Sequence, residues 1–303
     1  MNKESEIRNG YEVTALTKQV WAVQMEIAKQ ILEVCNRHNL KVWADWGTLL
    51  GMVREKGFIP WDDDIDLMMM RSDYDKLLKI APDEFKAPFH FQSPYTEKDY
   101  YRGHAQVRYD DTTAILPEDL NQPFHQGIFV DIFVYDNVPD TTGWQWKRTV
   151  RRATLDRKIL LTARYGSFFL KKPVKSVKYI FSRLLCGLFG PMNIYRHFER
   201  QFTNYNTLDL PQMACPAFDL KRVEKEKRDK RWYDETIMMP FEDIMLPAPA
   251  GYDMVLRNLY GDNYMQPAKS PSGHGETIFD VNRSYKEVIP LIKAGNFKQE
   301  SNS

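Results

Sequence analysis

The chain has 303 residues, of which 43% are hydrophobic, 27% charged and 13% aromatic, and its formal net charge at pH 7 is +1. This length allows one large domain or two smaller ones with a sizeable core, and the composition excludes an intrinsically disordered protein. The three cysteines, Cys35, Cys186 and Cys215, are scattered and form no motif, which argues against a disulfide framework and for a reducing compartment.

No segment of the sequence predicts export or a membrane span. The first residues contain no apolar region of the kind found in secretory signals. The most apolar later stretch, residues 177–194, is interrupted by Lys178 and Arg183 and is too short and too charged to cross a bilayer. We therefore expect a cytoplasmic protein.

The small net charge hides a strongly basic block. Residues 147–200 contain 14 Lys and Arg residues but only two acids, Asp156 and Glu199, so this block carries +12 and the rest of the chain −11. Such a block commonly faces an anionic partner, although it is also found on solvated helical faces. Because its basic residues are interleaved with Phe, Leu and Ile, we expect peripheral contact with the anionic inner face of the cell membrane. A nucleic-acid partner is not expected, since the rest of the chain is acidic and has no recognition motif.

The first predicted elements are a long helix, a short strand and a short helix. Apolar periodicity predicts the long helix at residues 12–38. Residues 40–45 are typical of a strand, Gly47 and Thr48 predict a break, and residues 49–56 predict the short helix. The apolar stripe of the long helix consists of Leu16, Val20, Val23, Ile27, Ile31 and Val34.

The following segment contains three predicted strands and a helix. Residues 65–70, Ile-Asp-Leu-Met-Met-Met, predict a strand that follows a cluster of aspartates. A helix is expected next, with Ser72 as its N-cap and Asp73 in its first turn. Residues 101–109 and 127–138 predict two more strands, the second rich in Ile, Phe and Val.

The second half of the chain begins with the basic block. Residues 144–202 predict two or more helices that separate near residues 171–173, and a later helix is expected at residues 253–261. We expect the chain to be divided into a first part of the core at residues 1–145, a basic helical insertion at 146–222, a second part of the core at 223–292 and a disordered tail at 293–303.

The aspartate cluster, Asp62, Asp63, Asp64 and Asp66, predicts a metal site. Alternate side chains of a strand share a face, so Asp64 and Asp66 should point the same way, roughly 6.5–7 Å apart along the backbone. Two carboxylates on one face suit Mg²⁺, which completes its shell with water and phosphate oxygens. Without a cation they would repel each other.

The cluster has two other interpretations. One is a plain acidic turn before the helix at Ser72, although Ser72 and Asp73 already provide the expected capping groups. The other is an EF-hand loop, which requires a Gly after the third aspartate and a Glu seven positions beyond it. This chain has Leu67 and Asp73 at those positions, so the EF-hand is excluded.

Asp131 is a third carboxylate of interest because it lies within the apolar stretch Gly-Ile-Phe-Val-Asp-Ile-Phe-Val. An unpaired charge in a buried strand would cost several kcal/mol, so we expect a partner. A metal ion held by Asp64 and Asp66 is one candidate. A salt bridge to an arginine such as Arg108 is the other.

These motifs resemble the LicD family of phosphorylcholine transferases, which includes the fukutin-related proteins. The resemblance rests on GTLLGMVREKGFIPWDDDIDLMM, GIFVDIFVYDNVP and LYGDNYMQP, and covers roughly residues 15–140 and 237–280. It implies an α/β (α+β) fold with a polymerase-β-type nucleotidyltransferase core, in which helices flank a mixed sheet, plus a basic helical insertion. It also implies a turn at Gly47 and Thr48, a metal-binding pair at Asp64 and Asp66, and Asp131 as the third carboxylate.

The family chemistry implied is transfer of phosphocholine, or a related phospho-alcohol, from a CDP-linked donor such as CDP-choline to a hydroxyl of a cell-surface glycan or its lipid-linked precursor. CMP would be released, with Mg²⁺ or Mn²⁺ as cofactor. Asp64, Asp66 and Asp131 would be catalytic and metal-binding, with Asp131 a ligand, a general base or both. Substrate and phosphate contacts would come from Gly47, Thr48, Arg54, Arg71, Arg108 and His274.

Two rival functions follow from the same residues. A DxD-type glycosyltransferase would use Asp64 and Asp66 to hold a nucleotide-sugar diphosphate and would release a nucleoside diphosphate. A glycan- or choline-binding module without catalysis would have little need of three converging carboxylates.

Each of the three arginines could also form an ordinary surface ion pair. The aromatic residues available to enclose a choline ammonium are Trp43, Trp46, Trp61 and Tyr101.

Overall fold

The structure is a computed structural model that describes residues 2–167, 173–267 and 277–298. The chain divides into two compact units. We call the first the core unit; it contains Met1–Gln92, Ala105–Phe133 and Arg231–Ser303. We call the second the helical unit; it contains Ser93–His104 and Val134–Lys230. The predicted domain boundaries and the predicted disorder of the tail stay predictions, and residues 299–303 lie outside the described part.

Helices and strands alternate along the core unit, whereas long helices dominate the helical unit. The helices are α1 (Ala15–Arg37), α2 (Trp46–Arg54), α3 (Arg71–Glu84), α4 (Trp144–Tyr165), α5 (Pro173–Phe189), α6 (Pro191–Thr203), α7 (Val223–Glu226), α8 (Tyr252–Tyr260) and α9 (Tyr285–Lys293). The strands are β1 (Glu6–Arg8), β2 (Tyr11–Val13), β3 (Trp43–Ala44), β4 (Asp66–Met70), β5 (Phe89–Gln92), β6 (Ala105–Tyr109), β7 (Thr113–Ile115), β8 (Ile128–Asn137), β9 (Gln212–Ala214), β10 (Arg228–Asp229), β11 (Thr236–Phe241), β12 (Ile244–Pro249) and β13 (Ile278–Asp280).

The core unit is built on a sheet that contains β3, β4, β5, β6 and the first part of β8. Strand β3 pairs antiparallel with β4, and β6 pairs antiparallel with both β5 and β8. Strand β8 lies next to β4, which completes the order. The core unit also contains three separate two-stranded antiparallel sheets, which are β1–β2, β11–β12 and β7–β13. The predicted α/β class, a mixed sheet flanked by helices, is therefore confirmed.

Helix α1 supplies much of the core because its apolar residues recur at helical spacing. It begins after Thr14, whose Oγ1 accepts a hydrogen bond from the Thr17 N–H at 3.1 Å. The central β4 and β8 are apolar on both faces, as expected for strands that helices cover. Fully or nearly fully buried side chains include Val20, Ile27, Ile31 and Val34 of α1, Leu49 and Met52 of α2, Leu67 and Met69 of β4, and Val130 and Ile132 of β8.

The predicted break at Gly47 and Thr48 is wrong. Helix α2 already begins at Trp46, so both residues lie in its first turn. The cause is Asp45, which acts as N-cap and accepts a hydrogen bond from the Trp46 N–H at 2.8 Å through Oδ1. The helix therefore starts earlier than the glycine suggested.

Two boundaries around β4 also differ from the prediction. The strand begins at Asp66, so Asp64 belongs to the loop before it. Contrary to the prediction from the sequence, Asp64 and Asp66 therefore do not share a face of one strand. Helix α3 begins at Arg71 directly after the strand, with Met70 at its N-cap and no capping bond from a side chain. Ser72 is therefore inside the helix and is not its cap, whereas Asp73 does lie in the first turn.

The helical unit is held together by α4, α5 and α6, together with short strands. Helix α4 ends at Tyr165 and α5 begins at Pro173, so the predicted separation of the basic helices is observed. The end of β8 pairs with β9, and β9 pairs with β10. The apolar cluster of this unit includes Leu160, Tyr195, Phe198 and Phe202. Within the three described ranges, no helix combines the length and the apolarity needed to cross a bilayer.

Candidate active site

Three carboxylates of the core unit converge. Asp64, Asp66 and Asp131 each offer one oxygen atom, and these atoms all lie within 4.8 Å of one another. Asp62, Asp63 and Asp64 meet the same criterion, so Asp64 belongs to both groups. Asp64 and Asp66 are partly exposed, whereas Asp131 is 3% exposed. The structure thus brings together the three aspartates that the sequence placed at the centre of the site.

Backbone and side-chain hydrogen bonds fix the start of β4 against its neighbours. The Asp131 N–H donates to the Ile65 carbonyl at 2.9 Å, which joins the two segments that carry the carboxylates. The Asp45 N–H donates to the Asp66 carbonyl at 2.9 Å, and the Asp66 N–H donates to Thr48 Oγ1 at 2.8 Å. Thr48 is 3% exposed, so its hydroxyl serves to hold Asp66 in place.

The acidic loop itself is held by two polar side chains of α1. Trp21 Nε1 donates to the Asp62 carbonyl at 3.0 Å, and Gln24 Nε2 donates to the Asp63 carbonyl at 2.7 Å. Both side chains are fully buried, so these bonds form away from competing water. Sequence reasoning missed both residues. A glutamine on the buried face of an amphipathic helix was the available signal, because a buried amide requires partners.

The carboxylates perturb each other electrostatically. Burial raises the pKa of Asp66 well above its usual value, and the negative charges of Asp64, Asp131, Asp62 and Asp45 raise it further, in that order. Asp45 is 0% exposed and was not singled out from the sequence. Neutralising this much negative charge requires protons or a cation, and a set of carboxylate oxygens suits a hard divalent ion such as Mg²⁺ or Mn²⁺.

Asp131 is oriented by an amide and a guanidinium. Gln106 Nε2 donates to Asp131 Oδ1 at 2.7 Å, and Arg108 Nη2 donates to Gln106 Oε1 at 2.6 Å. Since Arg108 has only donors, it fixes the orientation of the Gln106 amide and directs its NH₂ group at Asp131. Of the two partners considered for Asp131, Arg108 is therefore connected to it through Gln106.

Arg108 is placed for support within the fold. Its side chain is 2% exposed, lies over the Phe129 ring at 4.8 Å, and donates from Nε to Gln92 Oε1 and from Nη1 to the Gly127 carbonyl, both at 2.7 Å. These bonds make Arg108 a residue that positions Gln106 and, through it, Asp131. They use three of the five N–H groups of the guanidinium, and the predicted phosphate contact of Arg108 stays a prediction.

The remaining predicted residues have different surroundings. A Cβ on Gly47 would lie 2.3 Å from Asp62 Oδ2, so this position admits only glycine while Asp62 keeps its place. Arg54 donates from Nε to Glu55 at 2.8 Å and from Nη1 to the Tyr264 carbonyl at 3.4 Å. The Arg71 guanidinium lies 3.9 Å from Asp75 and over the Tyr74 ring at 5.5 Å.

Phosphate binding by Gly47, Thr48, Arg54 and Arg71 stays a prediction. So do the metal-binding and catalytic roles of the three aspartates. His274 lies outside the described residues.

Comparison with known proteins bears on this geometry. Residues 39–161 match the sequence profile described as the LicD/FKTN/FKRP nucleotidyltransferase domain, and this range contains all the carboxylates discussed above. The chain contains a LicD-family domain. The resemblance drawn from the sequence motifs is thereby confirmed, and the LicD-family domain includes β4, α3 and β8.

Individual relatives show the same likeness. The chain is 25% identical over 233 residues to "Lipopolysaccharide cholinephosphotransferase LicD" of Haemophilus influenzae, an alignment that covers 77% of this chain and 85% of that protein. It is 42% identical over 57 residues to "Uncharacterized protein RP689" of Rickettsia prowazekii, which covers 19% of this chain and 21% of that protein. A protein of Rickettsia typhi is 41% identical over 61 residues, or 20% of this chain and 19% of that protein.

Proposed function

We propose that the chain catalyses the metal-dependent transfer of phosphocholine, or a closely related phospho-alcohol, from a CDP-linked donor to a hydroxyl of a glycan, with release of CMP. That the chain is a transferase enzyme is supported by its LicD-family domain and by its similarity to a cholinephosphotransferase. Beyond this, we propose the CDP-linked donor, the divalent metal and the glycan acceptor.

The observation that carries the proposal is the convergence of Asp64, Asp66 and Asp131 within 4.8 Å inside the LicD-family domain. A binding module without catalysis gains nothing from crowding carboxylates so closely that the pKa of Asp66 is raised. Mutual repulsion destabilises the metal-free site, and a protein retains such a feature where the charge serves catalysis. We therefore assign these three carboxylates to a divalent cation.

The protein's contribution to phosphoryl transfer is mainly positioning and charge neutralisation. A bound Mg²⁺ or Mn²⁺ would supply Lewis-acid stabilisation of the donor diphosphate. Asp64 and Asp66 would hold the ion from the loop and the first residue of β4. Thr48 keeps Asp66 in register, and Trp21 and Gln24 prevent the acidic loop from withdrawing.

Asp131 receives a second role in this proposal. Phosphoryl transfer to an alcohol requires a group that accepts the proton of the attacking hydroxyl. Asp131 is buried on a central strand, and the amide of Gln106 fixes one of its oxygens at 2.7 Å. A carboxylate held rigidly in this way is suited to accept that proton, because efficient transfer depends on geometry first.

The experiment that tests the proposal measures CMP release from CDP-choline, with and without Mg²⁺ or Mn²⁺ and with candidate glycan acceptors. Wild type is compared with Asp64→Asn, and Asp83→Asn serves as the matched control because Asp83 is an exposed aspartate on α3. We expect metal-dependent CMP release that Asp64→Asn abolishes and Asp83→Asn leaves intact.

Other outcomes change the proposal in defined ways. Release from CDP-glycerol or CDP-ribitol, but not from CDP-choline, would keep the reaction and change the donor. Release of UDP from a UDP-sugar, with no reaction of any CDP donor, would establish the glycosyltransferase alternative. Undiminished CMP release by Asp64→Asn would show that the assignment of the metal site is wrong.

A further inference from the structure

Helix α5 of the helical unit buries small polar side chains and exposes large apolar ones. Its buried side chains are two serines, Ser176 and Ser182. Seven of its large apolar side chains point to solvent, whereas a surface helix normally buries them. Those that are 45–75% exposed are Val174, Val177, Ile180, Phe181, Leu184, Leu188 and Phe189. We call this set the α5 apolar face.

The spacing of these residues makes the face continuous. Val174, Val177, Phe181, Leu184 and Leu188 follow one another at intervals of three and four residues, which places them in one stripe along the helix. At about 100° per residue, the centre of this stripe lies roughly opposite the two buried serines. The apolar face therefore results from the orientation of the helix in the unit, because the side that carries Ser176 and Ser182 is the one that packs.

A stripe of this size calls for an occupant. Seven side chains, each about half to three-quarters exposed, form an apolar surface on the order of several hundred Å². Contiguous patches of this size on soluble proteins mark sites of interaction with proteins or membranes. Single exposed apolar residues are ordinary, but a continuous helical stripe is not.

Charge identifies the occupant. Helix α5 contains no acidic residue, and Lys175, Lys178 and Arg183 are exposed along it. The surrounding block, residues 147–200, has a net charge of +12. A second copy of this chain would bring the same positive charge to the interface, which opposes self-association. An anionic bilayer offers both an apolar layer for the stripe and negative headgroups for the lysines and arginines.

We propose that the α5 apolar face inserts into the headgroup–acyl boundary of an anionic lipid bilayer, with Lys178 next to the stripe at the headgroups and with Lys175 and Arg183, which are exposed further round the helix, adding to the attraction. The helix lies in the plane of the membrane and does not cross it, because its other side is packed in the helical unit. This inference goes beyond the proposed transfer reaction. It concerns where the enzyme works and can be tested without any activity measurement.

The test is flotation of the full chain with vesicles of phosphatidylcholine alone and with vesicles that also contain phosphatidylglycerol. The key variant is Phe181→Gln/Leu184→Gln/Leu188→Gln, in which all three side chains are exposed. Its matched control is Met238→Gln/Met245→Gln/Met254→Gln, which changes three comparably exposed apolar side chains of the core unit. We expect wild type and control to float with anionic vesicles, and the α5 variant to bind at least tenfold more weakly.

A second pair of variants tests the role of charge. Lys175→Gln/Lys178→Gln/Arg183→Gln should lose the preference for anionic over neutral vesicles, whereas Lys41→Gln/Lys79→Gln/Lys293→Gln, on exposed lysines of the core unit, should retain it. Unchanged flotation of the Phe181/Leu184/Leu188 variant would overturn the proposal. It would also be overturned if wild type failed to float but formed oligomers that this variant dissociates, because the face would then bind a second copy.

Discussion

The acidic site of the core unit and the α5 apolar face of the helical unit depart from ordinary folding rules in opposite ways. The first gathers carboxylates where burial penalises charge, and the second exposes apolar side chains where water penalises them. Each departure is local, since the remaining core of each unit is conventionally apolar. Both regions therefore store an unfavourable interaction that a ligand of complementary chemistry would relieve, a cation in one case and an anionic bilayer in the other.

Removal of one carboxylate should have the most severe effect on the acidic site. Asp66→Asn should lower CMP release by on the order of a thousandfold, because a first residue of β4 that cannot carry charge no longer holds the cation. At a pH above the native pKa of Asp66, where this carboxyl group is ionised, the same variant should raise the melting temperature of the metal-free protein by a few degrees, since it removes one charge from a desolvated, mutually repelling group. Calorimetry without metal would measure this, and a fall in melting temperature would contradict the idea that the site is strained.

A pair of glycines tests the close packing at the site against the openness of α5. Gly47→Ala places a Cβ 2.3 Å from Asp62 Oδ2 and should displace the acidic loop, lowering activity by roughly ten- to a hundredfold. Gly187→Ala in α5 meets nothing within 4 Å and should raise stability by about 0.5–1 kcal/mol, the helix propensity gained. Steady-state kinetics and chemical denaturation of both variants give the result, and full activity of Gly47→Ala would show that the loop adapts.

The support of Asp131 predicts a smaller loss. Gln106→Leu removes the donor to Asp131 Oδ1 and leaves Arg108 without its amide acceptor, so we expect kcat to fall about ten- to thirtyfold with little change in KM. Gln106→Glu tests the mechanism from the other side, because a carboxylate would pair with Arg108 and repel Asp131. A raised KM with kcat nearly unchanged in the leucine variant would mean that Gln106 contacts the substrate.

The raised pKa of Asp66 predicts how pH controls stabilisation by metal. In the metal-free protein, Asp66 retains a proton that the unfolded chain releases near pH 3.8, so its contribution to stability is complete below that pH and is lost as pH rises through the higher native pKa. A divalent cation replaces this proton. The increase in melting temperature caused by Mg²⁺ should therefore grow as pH rises, and Asp66→Asn should flatten this dependence. An equally steep dependence in the variant would assign the proton to another group.

Sequence patterns predicted the central parts of the fold and of the site, and the reasons are physical. The stripe of α1, the apolar run of β8 and the position of Asp131 within it follow from periodicity and from the cost of burying charge. The start of α2 did not, because the capping bond of Asp45 overrides the breaking tendency of Gly47. The supporting contacts of Trp21 and Gln24 join residues about 40 positions apart and arise only from tertiary packing.

The burial of Arg108 is a similar case. The match between guanidinium and phosphate geometry suggested a phosphate contact, and only the structure shows that Gln92, Gly127 and Gln106 accept three hydrogen bonds from Arg108. The α5 apolar face was also only partly foreseeable. Composition predicted an amphipathic basic helix, but which side packs depends on the neighbouring helices of the unit.

The smallest predicted effect separates a surface that binds from one that folds. Leu184→Gln alone should change the free energy of unfolding by less than about 0.5 kcal/mol, since the side chain is 65% exposed and loses few contacts. In Leu160→Gln, by contrast, a side chain that is 2% exposed in the same unit becomes a buried amide, and the cost should be several kcal/mol. Urea denaturation of the two variants, at a protein concentration where wild type is monomeric, provides the comparison. A large decrease in the free energy of unfolding for Leu184→Gln would mean that the α5 apolar face is already covered within the protein. That face would then not be available to insert into a membrane.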